Sequence, residues 1–157
     1  MLPNAWDVAS AVVIAAAGAK AIATTSAGVA WSLGVPDGAE RLAAVVARIV
    51  AAVDVPVSAD IEAGYGNVAA TVEAVVRAGA VGINVEDSSA GVLLDPAEQA
   101  NRLAAARAAA TDATDGARVR INARTDVFLA GPGNLREALE RSPPTPQPAR
   151  IACSCPA

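Results

Sequence analysis

Residues 55–66 read V-P-V-S-A-D-I-E-A-G-Y-G. Val55 and Val57 are β-branched and flank Pro56, a residue tolerated at the first positions of a strand. A buried strand is therefore expected over residues 55–60. Asp60 and Glu62 follow two residues apart, and in extended chain residues i and i+2 face the same way. Gly64-Tyr65-Gly66 then turns the chain and lets backbone approach a ligand. Two carboxylates aimed at one point repel unless a cation lies between them. A hard divalent ion such as Mg²⁺ takes oxygen ligands and keeps several waters, so one or two carboxylates suffice to hold it. Two solvated acids at a strand end would give the same spacing.

Outward from this stretch the chain repeats one pattern. A-A-A-G-A-K-A-I-A-T-T-S (residues 15–26) and V-R-A-G-A-V-G-I-N-V-E-D (residues 76–87) share a helix end, a Gly-Ala pair, an apolar strand and a polar tip. Strands are expected at residues 2–5, 20–25, 55–60, 81–86 and 119–123. Helices are expected at residues 7–17, 39–53, 67–78 and 96–111, with another starting at residue 134. Residues 26–38, with Gly28, Gly34, Pro36 and Gly38, read as a loop. Short apolar strands alternating with helices give a parallel sheet with covered faces. Polar residues gather after the strands: Thr24, Thr25 and Ser26; Asp60 and Glu62; Glu86 and Asp87; Asn122, Arg124 and Asp126. Barrels and doubly wound sheets both carry their sites at that end. The usual nucleotide-binding fingerprints G-x-G-x-x-G and G-x-x-x-x-G-K-[ST] are absent, which favours a (β/α)₈ TIM barrel.

Composition narrows the chemistry. The chain has 157 residues, 54% hydrophobic and 3% aromatic, with net charge −4. A core of Ala, Val, Leu and Ile follows, and no basic stripe is present to attract nucleic acid or an anionic membrane. The start M-L-P-N-A-W-D has no basic n-region, and apolar runs are short, so a cytoplasmic protein is expected. Histidine is absent, which removes His bases, triads and ligands. Cys153 and Cys155, in C-x-C, make neither a disulfide framework nor a zinc site.

Five segments together resemble the isocitrate lyase/phosphoenolpyruvate mutase superfamily. They are P-N-A-W-D (residues 3–7), S-A-G-V-A-W-S-L-G-V-P-D (26–37), S-A-D-I-E-A-G-Y-G (58–66), G-I-N-V-E-D-S (82–88) and I-N-A-R-T-D (121–126). The resemblance implies a (β/α)₈ barrel and a Mg²⁺, or Mn²⁺, at the strand ends. It implies lyase or mutase chemistry beside a small α-keto or 2-hydroxy dicarboxylic acid, or a phosphonopyruvate-like one, through a pyruvate enolate. By the same resemblance Asp60 is the direct metal ligand, and Glu62 and Glu86 hold metal-bound water. Asp37 is a further acid of the site. Arg124 binds the substrate carboxylate, and Thr25, Ser26 and Ala27 hold its other oxygens. The family also implies a homo-oligomer. The physics is compatible: a cation stabilises negative charge developing on the keto oxygen, and the Arg fork fits a planar carboxylate. Plainer roles exist too. Arg124 can pair with Asp126 or Glu86, Asp37 can belong to a Pro-Asp-Gly turn, and Glu86-Asp87 can cap the next segment.

Three departures from the family stand out. Glu62 occupies a position where many relatives carry Asp. The segment S-S-A-G-V-L-L-D (residues 88–95) lacks the Cys, Lys and His of the lyases' mobile loop, leaving only the hydroxyls of Ser88 and Ser89. And a complete barrel needs eight βα units, typically ~250 residues, whereas five strands are legible here. The expectation is thus a partial barrel over residues 1–141, about five of eight parallel strands, that associates or aggregates through its edges. Residues 142–157, rich in proline, are expected to form no element. Written in GC-rich codons and read from the third base, the tail yields A-A-Y-A-A-A-G-A-D-C-L-F-V-P-G, the missing sixth unit, so a frameshift is expected. Two alternatives stay open: an inactive fragment, and a small doubly wound domain that binds a phosphate ligand.

Overall fold

The computed structural model describes residues 2–114, 118–129, 131 and 135–141 and, in backbone, Ala152–Cys153. Strands β1 (Asn4–Ala5), β2 (Ile22–Thr24), β3 (Val57–Asp60) and β4 (Gly82–Glu86) alternate with helices α1 (Val8–Ala16), α2 (Ser26–Leu33), α3 (Ala39–Ala52) and α4 (Val68–Arg77). A two-stranded hairpin, β5 (Ser88–Ser89) and β6 (Val92–Leu93), precedes α5 (Pro96–Asp112), β7 (Arg120–Thr125), α6 (Leu135–Glu140) and β8 (Ala152–Cys153). The main sheet runs β1-β2-β3-β4-β7-β8, and every pair in it is parallel.

That order decides between the two parallel architectures. Strands that join the sheet in chain order keep stepping the same way, and right-handed crossovers then put the helices on one face. A doubly wound sheet must reverse direction at a switch point; this one does not. It is part of a (β/α)₈ barrel, with the five expected parallel strands in one sheet.

Each helix forms for reasons visible in its own residues. Asp7 caps α1, with Ser10 completing a reciprocal capping box, and the Ser10 amide holds the Asp7 carboxyl below its ordinary range. Asn67 caps α4 through the Ala70 amide, and Asp95 caps α5 ahead of Pro96. α3 buries Leu42, Val45, Val46 and Ile49, and α4 buries Val68, Val72, Val75 and Val76. These pack on the sheet face made by Ile22, Val57, Ala59, Ile83, Val85 and Ile121, all buried. Alternate positions face the other way: Ser58, Asp60, Asn84, Glu86, Asn122 and Arg124 are only half-buried. The period of two thus sorts an apolar, helix-covered face from a polar one.

Two elements differ from expectation. Residues 26–33, read as loop, form α2. Gly28 is needed inside it, because a Cβ there would lie 2.6 Å from Thr25 Cγ2 and 3.1 Å from Trp6 Cβ. β8 lies where the tail was expected to form nothing; it pairs Ala152 with Arg124 and Cys153 with Thr125. A strand edge offers unpaired N–H and C=O groups to any extended segment. The rest of the tail, and the expected helix start at Asn134, lie outside the described residues. No helix among the described residues is long and apolar enough to cross a membrane.

The turn after β3 is tightly determined. Gly64 has φ +83°, and a Cβ on it would meet Val68 Cα at 2.6 Å. Thr71 Oγ1 donates to the Gly64 carbonyl at 2.9 Å, and Arg102 Nη2 donates to the Ala63 carbonyl. Gly64→Ala is expected to cost about 2–4 kcal/mol, from left-handed strain plus the clash with helix backbone. Urea unfolding checks this; a loss under about 0.5 kcal/mol would mean that the turn relaxes freely.

Candidate active site

The polar ends of β3, β4 and β7 meet the start of α2. Asp60 is the last residue of β3. Its backbone N–H donates to Thr24 Oγ1 at 2.9 Å, which ties the end of β3 to β2. Its Oδ1 accepts from Asn84 Nδ2 at 2.9 Å and, more distantly, from the Glu62 N–H at 3.5 Å, while Oδ2 has, among the described residues, only a 3.4 Å approach from Ser26 Oγ. Glu62 reaches the same place by a different route from the one its spacing suggests. The strand has ended, and Glu62 sits at φ 48°, so a left-handed turn rather than the pleat swings it towards Asp60. Tyr65 shares that φ value. Both are strained conformations for residues with a Cβ, of the kind that clusters at functional sites.

Glu86 ends β4 beside Arg124 of β7, its register partner. Arg124 Nη1 lies 3.2 Å from Glu86 Oε2, and its Nε donates to Asp126 Oδ1 at 2.6 Å. The plainer pairing considered for Arg124 is therefore present, with both acids at once. Arg124 Nη2 is engaged in neither pair. Burial opposes the charge on Arg124, but the Asp126 hydrogen bond and the charges of Asp126 and Glu86 outweigh it and raise its pKa. Asp126 in turn accepts from Ser88 Oγ at 2.7 Å. The Ser88 hydroxyl proton is thus committed to Asp126, and Ser89 is exposed. Asp87, the neighbour of Glu86, is 3% exposed and points away from the polar face. It accepts from Thr125 Oγ1 at 2.7 Å and from the Asp126 amide at 2.8 Å, and Arg141 Nη1 lies 3.6 Å from it.

Asp37 follows α2 on an exposed loop and lines one crevice with Ser26 and Tyr65. It stands close enough to Glu62 to raise that residue's pKa by hydrogen bonding and charge. Thr25, Ser26 and Ala27 form the N-terminus of α2. Thr25 is the cap, and its side chain makes no capping bond. The first N–H groups of a helix have no partner within it, so this end offers backbone donors beside Asp60, a ready site for an anion.

The acids carry more negative charge than they can hold comfortably. Glu62 is pushed up to about 7, first by burial and then by Asp37, against an opposing hydrogen bond from Ser26, with a smaller push from the charge of Asp60. Glu86 also stands at about 7: burial raises it, Arg124 lowers it, and Asp126, Asp60 and Glu62 raise it again. Tyr65 is raised too, by burial and by the same acids, so its hydroxyl stays neutral. Such an all-oxygen set suits Mg²⁺ or Mn²⁺. Among the described residues no three acidic groups stand close enough to ligate one ion directly.

These shifts have a sign. Glu62 and Glu86 bind protons more tightly folded than unfolded, because their ordinary value is 4.5 and their folded value about 7. Their stabilising contribution is complete below pH 4.5 and lost as pH rises through about 7. Without divalent ions the chain is expected to melt at a higher temperature at pH 5 than at pH 8. Added Mg²⁺ should reverse the trend, because it competes with those protons. A melting temperature in EDTA that climbs from pH 5 to pH 8 would contradict this.

The sequence had pointed to Asp60, Glu62, Glu86, Arg124, Asp37 and the Thr25–Ala27 segment, and all of them lie at one end of the sheet. It had not pointed to Asn84 as a partner of Asp60, to the commitment of Ser88, or to Tyr65 among the acids. The signal for Asn84 was present, since it is the one polar residue inside an otherwise apolar strand.

A family model described as phosphoenolpyruvate phosphomutase matches residues 1–143. An uncharacterized protein of Mycobacterium tuberculosis (strain ATCC 25618 / H37Rv) is 45% identical over 132 residues, which are 82% of this chain and 49% of that protein. The crystal structure of a candidate phosphonomutase from Burkholderia cenocepacia J2315 superposes with TM-score 0.78 at 46% identity, covering 88% of this chain and 60% of that one. That of 2,3-dimethylmalate lyase, a PEP mutase/isocitrate lyase superfamily member, gives TM-score 0.77 at 31% identity, covering 89% and 51%. The chain thus spans about half the length of the curated relatives it matches.

Proposed function

The chain belongs to the phosphoenolpyruvate phosphomutase family, and from that premise we propose that it acts in the cytoplasm as a divalent-metal-dependent lyase or mutase. Its substrate would be a small α-keto or 2-hydroxy dicarboxylic acid, or a phosphonopyruvate-like acid. The observation that carries the reading is the meeting of Asp60, Glu62 and Glu86 with Arg124 and the open N-terminus of α2.

In this reading Arg124 takes one carboxylate of the substrate, held in place by Asp126 and Glu86 on its other donors. The backbone amides of Ser26 and Ala27 and the Ser26 hydroxyl take further carboxylate oxygens. Asp60 holds the ion, and Glu62 and Glu86 hold its water. Mg²⁺ or Mn²⁺ would supply positive charge at the keto oxygen, where negative charge builds as the adjacent bond breaks. Asp37 and Tyr65 line the crevice with Ser26, beside Glu62. The hairpin carries no strong acid beside the site: Ser88 donates to Asp126, and only the weakly acidic hydroxyl of exposed Ser89 is left. That favours reactions whose leaving group needs no proton from this loop, such as loss of CO₂ from an oxaloacetate-like acid or migration of a phosphoryl group. Cleavage of isocitrate by the usual route is disfavoured.

The test is direct. The chain is incubated with oxaloacetate, and separately with phosphonopyruvate, in Mg²⁺, in Mn²⁺ and in EDTA, and pyruvate and phosphorus species are followed against protein-free controls. Metal-dependent product formation above those controls supports the reading. The half-length coverage of the relatives favours a second reading, in which the chain binds ion and ligand without turnover. Saturable, metal-dependent oxalate binding with no product would select it. If neither product nor metal-dependent binding is seen, both readings fall.

A further inference from the structure

Three side chains stand abreast across the polar face. The register sets Asp60 beside Asn84 and Asn84 beside Asn122, on β3, β4 and β7. Asn84 Nδ2 donates to Asp60 Oδ1 at 2.9 Å, and Asn122 Nδ2 donates to Asn84 Oδ1 at 2.5 Å. The direction of this chain is forced. An ionised carboxylate can only accept, so Asn84 must turn its NH₂ group to Asp60. Its carbonyl then faces Asn122, which must present NH₂ in turn. The two amide dipoles add head to tail, with their positive ends towards Asp60.

We propose that Asn84 and Asn122 are positioning residues forming a two-amide relay, which clamps Asp60 Oδ1 so that Oδ2 is the oxygen offered to the divalent ion. This rests on the metal-binding role assigned to Asp60 above. Burial does not compel the arrangement, because all three residues are half-buried and water could satisfy each of them separately. Oδ2, by contrast, has among the described residues only the long approach of Ser26 at 3.4 Å. One oxygen is fixed and the other is left nearly free. Hydrogen bonds in a chain polarise one another, so the outer amide strengthens the inner one. Groups that orient a metal ligand commonly matter to affinity about 10–100-fold.

The experiment measures Mn²⁺ affinity of the full chain by the EPR signal of free Mn²⁺. Asn84→Leu is expected to weaken binding about 10–100-fold. Asn122→Ala, which touches neither Asp60 nor the ion, is expected to weaken it roughly twofold to fourfold. The double variant should bind no more weakly than Asn84→Leu alone, because Asn122 reaches Asp60 only through Asn84. Ser58→Ala, on the same face but outside the relay, should bind as wild type. Should Asn84→Leu not fold, Asn84→Ser carries the same expectation. Wild-type affinity in Asn122→Ala, or independent, fully additive losses in the double variant, overturns the relay while leaving the metal site standing. Mn²⁺ binding that is absent in wild type, or unchanged in Asp60→Ala, overturns the metal site itself and the relay with it.

Discussion

Replacing Asp60 with Ala is expected to remove the chain's response to divalent ions altogether. A ligand that binds only the folded state, present at 100 times its dissociation constant, stabilises by about 2.7 kcal/mol. For a chain of this size that raises the melting temperature by roughly 5–10 °C. Asp60→Ala should show no such rise, and any metal-dependent turnover should fall by at least about 10³-fold, since the charge opposing the developing oxyanion goes with the ion. The apo protein should lose little, because Asp60 is half-buried and relief from crowding with Glu62 offsets the lost Asn84 bond. Differential scanning fluorimetry with and without Mg²⁺ checks this. A variant that still gains several degrees from Mg²⁺ would place the ion elsewhere.

Arg124→Met should damage stability and chemistry together. The Arg124 side chain is 21% exposed and bridges Glu86 at 15% and Asp126 at 6%. Removing one partner of such a buried arrangement costs about 3–5 kcal/mol when the remaining charges stay behind unpaired, and protonation of Glu86 brings the loss towards the lower figure. Glu86 loses the one neighbour that lowers its pKa, so it rises above 7 and is largely protonated at neutral pH. A protonated Glu86 is a poor acceptor for metal-bound water, and no guanidinium remains for the substrate carboxylate. The expected loss in kcat/KM is on the order of 10³-fold. Arg124→Lys restores the charge but not the fork; it cannot serve Asp126 and Glu86 in their present geometry, and should recover stability more than turnover. Urea unfolding and a pyruvate-release assay give the two readouts. An Arg124→Met chain as stable as wild type would show the bridge to be incidental.

Most of the framework was legible before any coordinates. The strand at residues 55–60, the Asn67 cap and the apolar stripe of α3 are local features, set by β-branching, side-chain capping and helical spacing. Asp60 and Glu86 were legible because each ends a strand, and Arg124 because it lies one residue short of the end of β7. What was missed depends on partners far away in sequence. Residues 26–33 read as loop because Gly28 looks like a break, yet it is there to let Thr25 and Trp6 pack against the helix. Glu62 reaches the neighbourhood of Asp60 not by strand alternation, which its spacing suggests, but by a positive-φ turn. The amide chain from Asn122 to Asp60 exists only through strand register, which a single sequence does not reveal. β8 pairs with β7 because an edge was open, and nothing in the composition of the tail announces it.

The alternation of the sheet has a consequence for how such a protein can change over time. Asn84 and Glu86 share β4 with Ile83 and Val85, which lie beneath the helices. Deleting one residue upstream within that strand would swap the two sets, burying a carboxylate under α4 and α5 and leaving isoleucine where the ion is expected. Length errors in these strands would be lethal to packing and chemistry at once, whereas changes in exposed connecting loops leave the register intact. Diversification of the reaction would therefore proceed through the connecting segments, with the strands acting as a ruler.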